Sequence, residues 1–281
     1  MAEALHNLRD AGNLNVNSKD RLNIAIQYFL DRLYMSRISI QMLIAHHKSL
    51  YCPEESKAVD LGNTGTIDPK CDAVKVAKMA YENAAFLCEQ IYMDAPKLDI
   101  EWVDLTDTEK SSVEFVYIPS HLYHMFFEVF KNSMRATMEF HEDADTLPDV
   151  KVQVVKSPQD ISVKISDQGG GISRSISENC FLYLYTSASR VKLTSGDMGG
   201  TTSTNTPMHG LGYGLPLSRL YARYFGGDMK MASCDGYGTD TYIYLRALES
   251  DAREMLPIFN ANSSFKLKDT SNQVEDWTKD E

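Results

Sequence analysis

Positive charge is scarce in this sequence: 28 Lys and Arg stand against 39 Asp and Glu in 281 residues, a formal net charge of −11. A nucleic-acid surface needs clustered Lys and Arg to displace counterions from phosphates, so that class of partner is set aside. No apolar run reaches the roughly 18 to 20 residues that cross a bilayer as a helix, which excludes a membrane-spanning helix. The five cysteines, Cys52, Cys71, Cys88, Cys180 and Cys234, form neither a C-x-x-C pair nor a Cys/His cluster. A reducing compartment without structural zinc is expected. The opening residues MAEALHNLRDAGN have neither an apolar signal core nor an Arg-rich amphipathic presequence. Internal repeats are missing, and so is the Walker A pattern G-x-x-x-x-G-K-[ST].

What is present reads as an ordinary soluble protein with a real core, 43% hydrophobic and 24% charged. Its length suggests two domains. From Asn17 or Ser18, plausible N-caps, one long helix sets Leu22, Ile26, Phe29, Leu30 and Leu33 at helical spacing. After a break containing Pro53 and LGNTG, a second helix from about Asp72 to Met93 aligns Val74, Ala77, Tyr81, Ala84, Cys88 and Ile91. Two such helices are expected to pack antiparallel. The period then changes: residues 113–118, 150–155 and 161–166 alternate as strands, and TDTYIYLRAL closes near residue 248. Helices fall near 120–140 and 215–225. The fold class is therefore α+β, a sandwich rather than a doubly wound sheet. The predicted organisation is a helical part at 1–95, an α/β domain at 96–248 with a Gly/Ser/Thr-rich loop at 186–209, and a polar tail at 249–281.

Four segments carry chemistry. On HLYHMFFEVFKNSMRA, His124, Glu128, Asn132 and Arg135 lie along one side of a helix. The Asn132 amide oxygen can ligate a hard cation, and the Glu128 carboxylate can orient or deprotonate a nucleophile. His124 is positioned to hydrogen-bond Glu128 and tune it. An amphipathic surface helix explains the same segment taken alone. In ISDQGGGI a strand ends at Asp167, an acceptor for an exocyclic amine, while Gly169 and Gly171 admit close backbone approach; a tight turn is the competing explanation. In HGLGYGLPLSRLYARYF, Gly210, Gly212 and Gly214 lead into a helix with Pro216 in its first turn, an anion-binding N-terminus. Leu215 stands where a dinucleotide fingerprint needs its third glycine. Last, CDGYGTDTYIYL is a glycine-rich hairpin whose Thr239 can reach a base through water, or simply a hairpin.

Their order carries more than each alone. An Asn-bearing helix, strand-Asp-x-Gly-x-Gly, a polar lid, Gly-x-Gly-x-Gly before a helix and Gly-x-Gly-Thr together resemble the N, G1, G2 and G3 boxes of the GHKL ATPases. The resemblance implies a Bergerat sandwich with ATP under the lid, Mg²⁺ held by Asn132 and the adenine amino group met by Asp167. DRLYMSRISI, IPSHLYHMFFEVFKNSMRATMEF, LGYGLPLSRLYARYFGGDM and the Asp276-Trp277 pair further resemble the pyruvate dehydrogenase kinases, across roughly residues 17 to 281.

That family resemblance implies a serine kinase acting on the decarboxylase component of the pyruvate dehydrogenase complex in the mitochondrial matrix, thereby inhibiting it. Glu128 would be the general base, with His124 beside it. Nucleotide contacts would come from Glu128, Lys131, Asn132, Arg135, Asp167, Gly169, Gly171, Thr186, Ser187, Gly210, Leu211, Gly212, Tyr213, Gly214, Leu215 and Thr239. It also implies a homodimer, with the Asp-Trp tail crossing to the partner, and docking on lipoyl domains of the complex core. The family carries a longer four-helix domain, so that docking is expected to be impaired here, and Gln41 stands where the family usually has Arg. Three other readings stay open: a histidine autokinase using His46 or His47, a nucleotide-binding or dimerising protein without transfer, and a branched-chain 2-oxoacid dehydrogenase kinase.

Overall fold

The computed structural model describes residues 21–51, 66–106, 112–142, 144, 146–186, 212–247 and 254. In chain order the elements are α1 (Arg21–Tyr51), β1 (Asp68–Asp72), α2 (Ala73–Tyr92), β2 (Leu98–Asp104), β3 (Glu114–Tyr117), α3 (Pro119–Phe140), β4 (Val150–Lys156), β5 (Asp160–Asp167), α4 (Arg174–Ser177), α5 (Gly214–Tyr224), β6 (Asp228–Cys234) and β7 (Gly238–Arg246). A five-stranded sheet runs β2-β4-β5-β7-β6, and β1 pairs with β3 as a separate ribbon. Only the β2–β4 pairing is parallel in the larger sheet; β4–β5, β5–β7 and β6–β7 are antiparallel. The α+β class holds.

The pleat of β5 explains how a carboxylate reaches the interior. Ile161, Val163, Ile165 and Asp167 occupy alternate positions and are all buried, so Asp167 continues the apolar face to the strand's end. Opposite them on β7 stand Leu245, Ile243, Thr241 and Thr239, also buried. Over this face lies α3. Pro119 starts it in the first turn, where a missing N–H costs nothing. Leu122, Met125, Phe126, Val129, Phe130 and Met134 form its buried stripe. Each such side chain contributes about 1.5–3 kcal/mol on leaving water, so this stripe fixes which side of α3 faces the sheet.

The second helix differs from expectation in its partner. Asp72 caps α2 by accepting from the Val74 and Lys75 amides at 2.9 and 3.4 Å. Its stripe, including Val74, Ala77, Ala84 and Cys88, is buried, although Ile91 is exposed. That stripe packs along α3, while α1 packs on α5. Among the described residues, the helices predicted to pair antiparallel thus have other main partners. With β1 hydrogen-bonded to β3, residues 68–92 are part of the sandwich, and a boundary at residue 95 cuts through it. On α1, Leu30 is fully buried whereas Leu22 and Phe29, counted in the same predicted stripe, are exposed. The predicted N-cap at 17 or 18 and the Asp276-Trp277 pair lie outside the described residues.

Candidate active site

A cavity of about 370 Å³ opens between α3, the β5 end, the β6–β7 hairpin and the start of α5. Asp167 lies at its base. One carboxylate oxygen accepts from the Gly169 and Thr239 amides at 3.1 and 3.2 Å, and the other from the Ser133 hydroxyl at 2.9 Å. Burial is the largest influence on this acid and holds its pKa above the ordinary carboxylate value, against those three donors. The result is a buried acceptor with fixed orientation. The glycines beside it let the backbone close up: Gly171 has φ +69, and a Cβ there would collide with the Cys234 carbonyl. The Thr239 hydroxyl is engaged with Ser233 Oγ at 2.9 Å.

The opposite wall is polar along α3. Glu128, Asn132 and Arg135 line the cavity, as their spacing of four and three residues on one helical side requires. Asn132 has no hydrogen bond to another described side chain. Arg135 Nε is buried with no hydrogen-bond partner, its nearest carboxylate, Glu139, standing 3.8 Å away. At that distance Glu139 balances the guanidinium charge, but the buried Nε–H is left without an acceptor, which costs free energy until one meets it. Glu128 is held from behind by Lys131 Nζ at 2.8 Å. In front, it abuts Gly214 so closely that a Cβ there would strike Glu128 Oε2.

Thr186, Gly169, Gly171, Gly212, Gly214 and Leu215 also line the cavity. Lys131 does not; its ammonium is committed to Glu128 and lies over the Phe127 ring. Nor does Tyr213, whose ring packs against Tyr34 and Tyr183 at 6.1 and 6.0 Å between centroids. The expected His124–Glu128 hydrogen bond is absent. His124 Nε2 is buried without a partner and the ring packs on Tyr221 at 5.0 Å. Burial, the largest influence, lowers the imidazole pKa; the Glu128 charge opposes this and the Lys131 charge adds to it. His124 is thus a neutral neighbour at pH 7. Ser187, Gly210 and Leu211 lie outside the described residues.

Residues that sequence reasoning passed over complete the cavity. Ser133 positions Asp167, and Phe140, Cys180, Met231 and Thr241 contribute wall. One signal was readable: Ser133 and Ala136 are small residues on the Asn132 side of the helix. Ala136 sits where a Cβ on Gly169 would come within 2.5 Å of its own Cβ. The cavity wall from β6 and β7 had no such signal.

Comparison with known proteins agrees with this geometry. The family model described as histidine kinase-, DNA gyrase B- and HSP90-like ATPase matches residues 117–249, and that of the mitochondrial branched-chain alpha-ketoacid dehydrogenase kinase matches residues 1–68. A mitochondrial pyruvate dehydrogenase (acetyl-transferring) kinase of Drosophila melanogaster is 48% identical over 256 residues, 90% of this chain and 60% of that protein. A probable kinase of the same name from Caenorhabditis elegans is 44% identical over 281 residues, 99% of this chain and 65% of that protein. Isozyme 1 of Rattus norvegicus is 44% identical over 252 residues, 90% and 56% respectively. The chain thus spans less than two thirds of the length of these relatives. Its box-bearing domain and this sustained identity agree: the chain belongs to the histidine kinase-, DNA gyrase B- and HSP90-like ATPases, among the pyruvate dehydrogenase kinases.

Proposed function

We propose that this protein is an ATP-dependent protein serine kinase that phosphorylates the decarboxylase component of the pyruvate dehydrogenase complex in the mitochondrial matrix and so inhibits it. The observation that carries the reading is the single cavity with Asp167 at one end and Glu128, Asn132 and Arg135 along one helical wall. The residues fit a nucleotide: Asp167 is a buried acceptor for the adenine amine, and the buried Arg135 Nε–H, ion-paired with Glu139 at 3.8 Å, has no hydrogen-bond acceptor and can donate to one on the ligand. Asn132 would hold Mg²⁺ through its amide oxygen. Relatives with 43–48% identity bear the kinase name, which supports the substrate assignment.

When bound, MgATP would supply the phosphoryl group, with the metal, held by Asn132, neutralising phosphate charge. The protein's own task is positioning and one proton. Glu128, beside Gly214 on the cavity wall, would take the proton of the substrate serine hydroxyl as that oxygen attacks the terminal phosphorus of ATP and the bond to the bridging oxygen breaks, releasing ADP. Lys131 holds the base in one orientation through its 2.8 Å contact. His124, neutral and packed on Tyr221, supports the α3–α5 contact beside it. Thr186, Ser187, Gly210 and Leu211 belong with the nucleotide contacts on the family pattern, as do homodimerisation and docking on lipoyl domains.

Transfer of labelled phosphate from MgATP to purified decarboxylase component tests the reading. Asn132→Ala is expected to lose Mg-dependent nucleotide binding, and Glu128→Gln to keep binding and lose transfer. A wild-type protein that binds ATP and transfers nothing would leave a nucleotide-binding protein only. One observation favours a second substrate, the branched-chain kinase family model over residues 1–68. Faster transfer to the branched-chain decarboxylase component would select it.

A further inference from the structure

We infer that Gln27 on α1 is a positioning residue for the nucleotide cavity, acting through the backbone of Tyr183; this rests on reading that cavity as an ATP site. The Tyr183 amide donates to Gln27 Oε1 at 2.8 Å, and Gln27 Nε2 donates to the Tyr183 carbonyl at 3.2 Å. One side-chain amide therefore satisfies both polar backbone groups of a single residue 156 positions away. Tyr183 is 1% exposed, so water offers those groups no substitute. One turn along α1, Asp31 accepts from the Tyr183 hydroxyl at 2.9 Å. Tyr34, on the same helix, stacks on the Tyr183 ring at 5.5 Å.

The residues that follow turn this grip toward the cavity. Leu184 sits in the left-handed region at φ 68, a conformation a leucine keeps only where its surroundings over-determine it. Its amide donates to the Gly212 carbonyl at 2.9 Å. Gly212, at φ +78, has no room for a side chain, since a Cβ would stand 2.6 Å from the Tyr185 carbonyl oxygen. Tyr185, Thr186, Gly212 and Gly214 then line the cavity. Two chain segments distant in sequence are thus joined at the wall and tied to α1, by Asp31 and Tyr34 through side chains and by Gln27 through the Tyr183 backbone. The cavity's shape depends on a helix that contributes no atom to its lining. Linkage then requires that nucleotide binding and the docking of α1 strengthen each other equally.

The test uses the full chain and ATP itself. Calorimetric ATP dissociation constants and ATP-free melting temperatures would be compared for wild type, Gln27→Met, Gln27→Glu and Tyr183→Phe, with amide exchange over residues 23–31 followed with and without ATP. Gln27→Met is expected to bind ATP about tenfold more weakly. Gln27→Glu, which keeps the acceptor and loses the donor, should fall between it and wild type, and Tyr183→Phe should lose less than Gln27→Met. ATP should slow exchange in this part of α1 in wild type but not in Gln27→Met. Lower melting temperatures with unchanged ATP affinity and an unchanged exchange response would make Gln27 merely structural and overturn the inference. Wild type that fails to bind ATP would sink the nucleotide reading and this inference together. Wild-type binding matched by Gln27→Met would sink this inference alone.

Discussion

Asp167 and Thr239 stand directly opposite one another at the end of the β5–β7 pairing, and the Thr239 amide donates to the Asp167 carboxylate at 3.2 Å. The acid therefore presents fixed lone pairs to the cavity without freedom to turn. In Asp167→Asn, Oδ1 can still accept from the Gly169 and Thr239 amides, but an NH₂ replaces the second acceptor. A donor then faces the adenine amine where an acceptor stood. ATP affinity should fall by about 100-fold or more, as when a site built for one hydrogen-bond polarity meets the other, with melting displaced by only a few degrees. Calorimetric titration beside a melting curve checks both, and near-wild-type affinity would remove Asp167 from base recognition.

Gly214→Ala separates binding from transfer. The new methyl would overlap Glu128 Oε2, and because only a carboxylate end is displaced, α5 should still form. A base moved by about 1 Å costs on the order of 100-fold in rate. Phosphate transfer should drop to that extent, more than ATP affinity does. Equal losses in both would mean that the helix N-terminus, and not Glu128, was damaged.

Asp228 links α5 to β6 and gives stability a pH dependence. Arg219 Nε and Arg223 Nε each donate to it at 2.9 Å. Burial acts to raise its pKa, but those two guanidinium groups outweigh it and bring the carboxyl to about 2. The unfolded value is about 3.9, so the folded state favours the charged form. Its stabilisation is complete above the unfolded value and is lost as pH falls toward the folded one. Urea midpoints of wild type and Asp228→Asn should differ equally at pH 7 and 5, with the gap narrowing from pH 4 to 3. High salt should also narrow it, since the pair is partly exposed. A constant gap at all four pH values would exclude this linkage.

The sequence made the site more legible than its frame. Asn132, Asp167, Gly212 and Gly214 declare themselves through helical spacing, a strand end and glycine runs, which are local signals, and the cavity brings them together. What sits opposite a stripe is not local. The face of α2 with Val74, Ala77, Ala84 and Cys88 announces burial equally well against α1 or α3, and only the tertiary arrangement selects α3. Three strands were not predicted for physical reasons. β1 is the polar pentapeptide DPKCD, β2 has an exposed, weakly alternating pattern, and β6 buries chiefly Met229 in a run without Val or Ile. The family resemblance implied Lys131 as a nucleotide contact, yet one residue along a helix from Asn132 turns a side chain by about 100°. That rotation carries it off the cavity wall and onto Glu128.

If Glu128 is the base, as proposed, the Glu128–Lys131 pair serves both stability and transfer. Its side chains are only 13% and 6% exposed, with Nζ 2.8 Å from the carboxylate. Lys131→Met strands a buried carboxylate and should cost about 3 kcal/mol of stability, while transfer falls through loss of the base's orientation. Adding Glu128→Gln removes the stranded charge. The double variant should therefore recover much of the melting temperature without recovering transfer, so the two stability losses will not add. Strict additivity would show the residues to be uncoupled. ATP affinity decides the remaining question: because Lys131 does not line the cavity, its loss should weaken ATP far less than Asp167→Asn does, and an equal weakening would return Lys131 to the nucleotide.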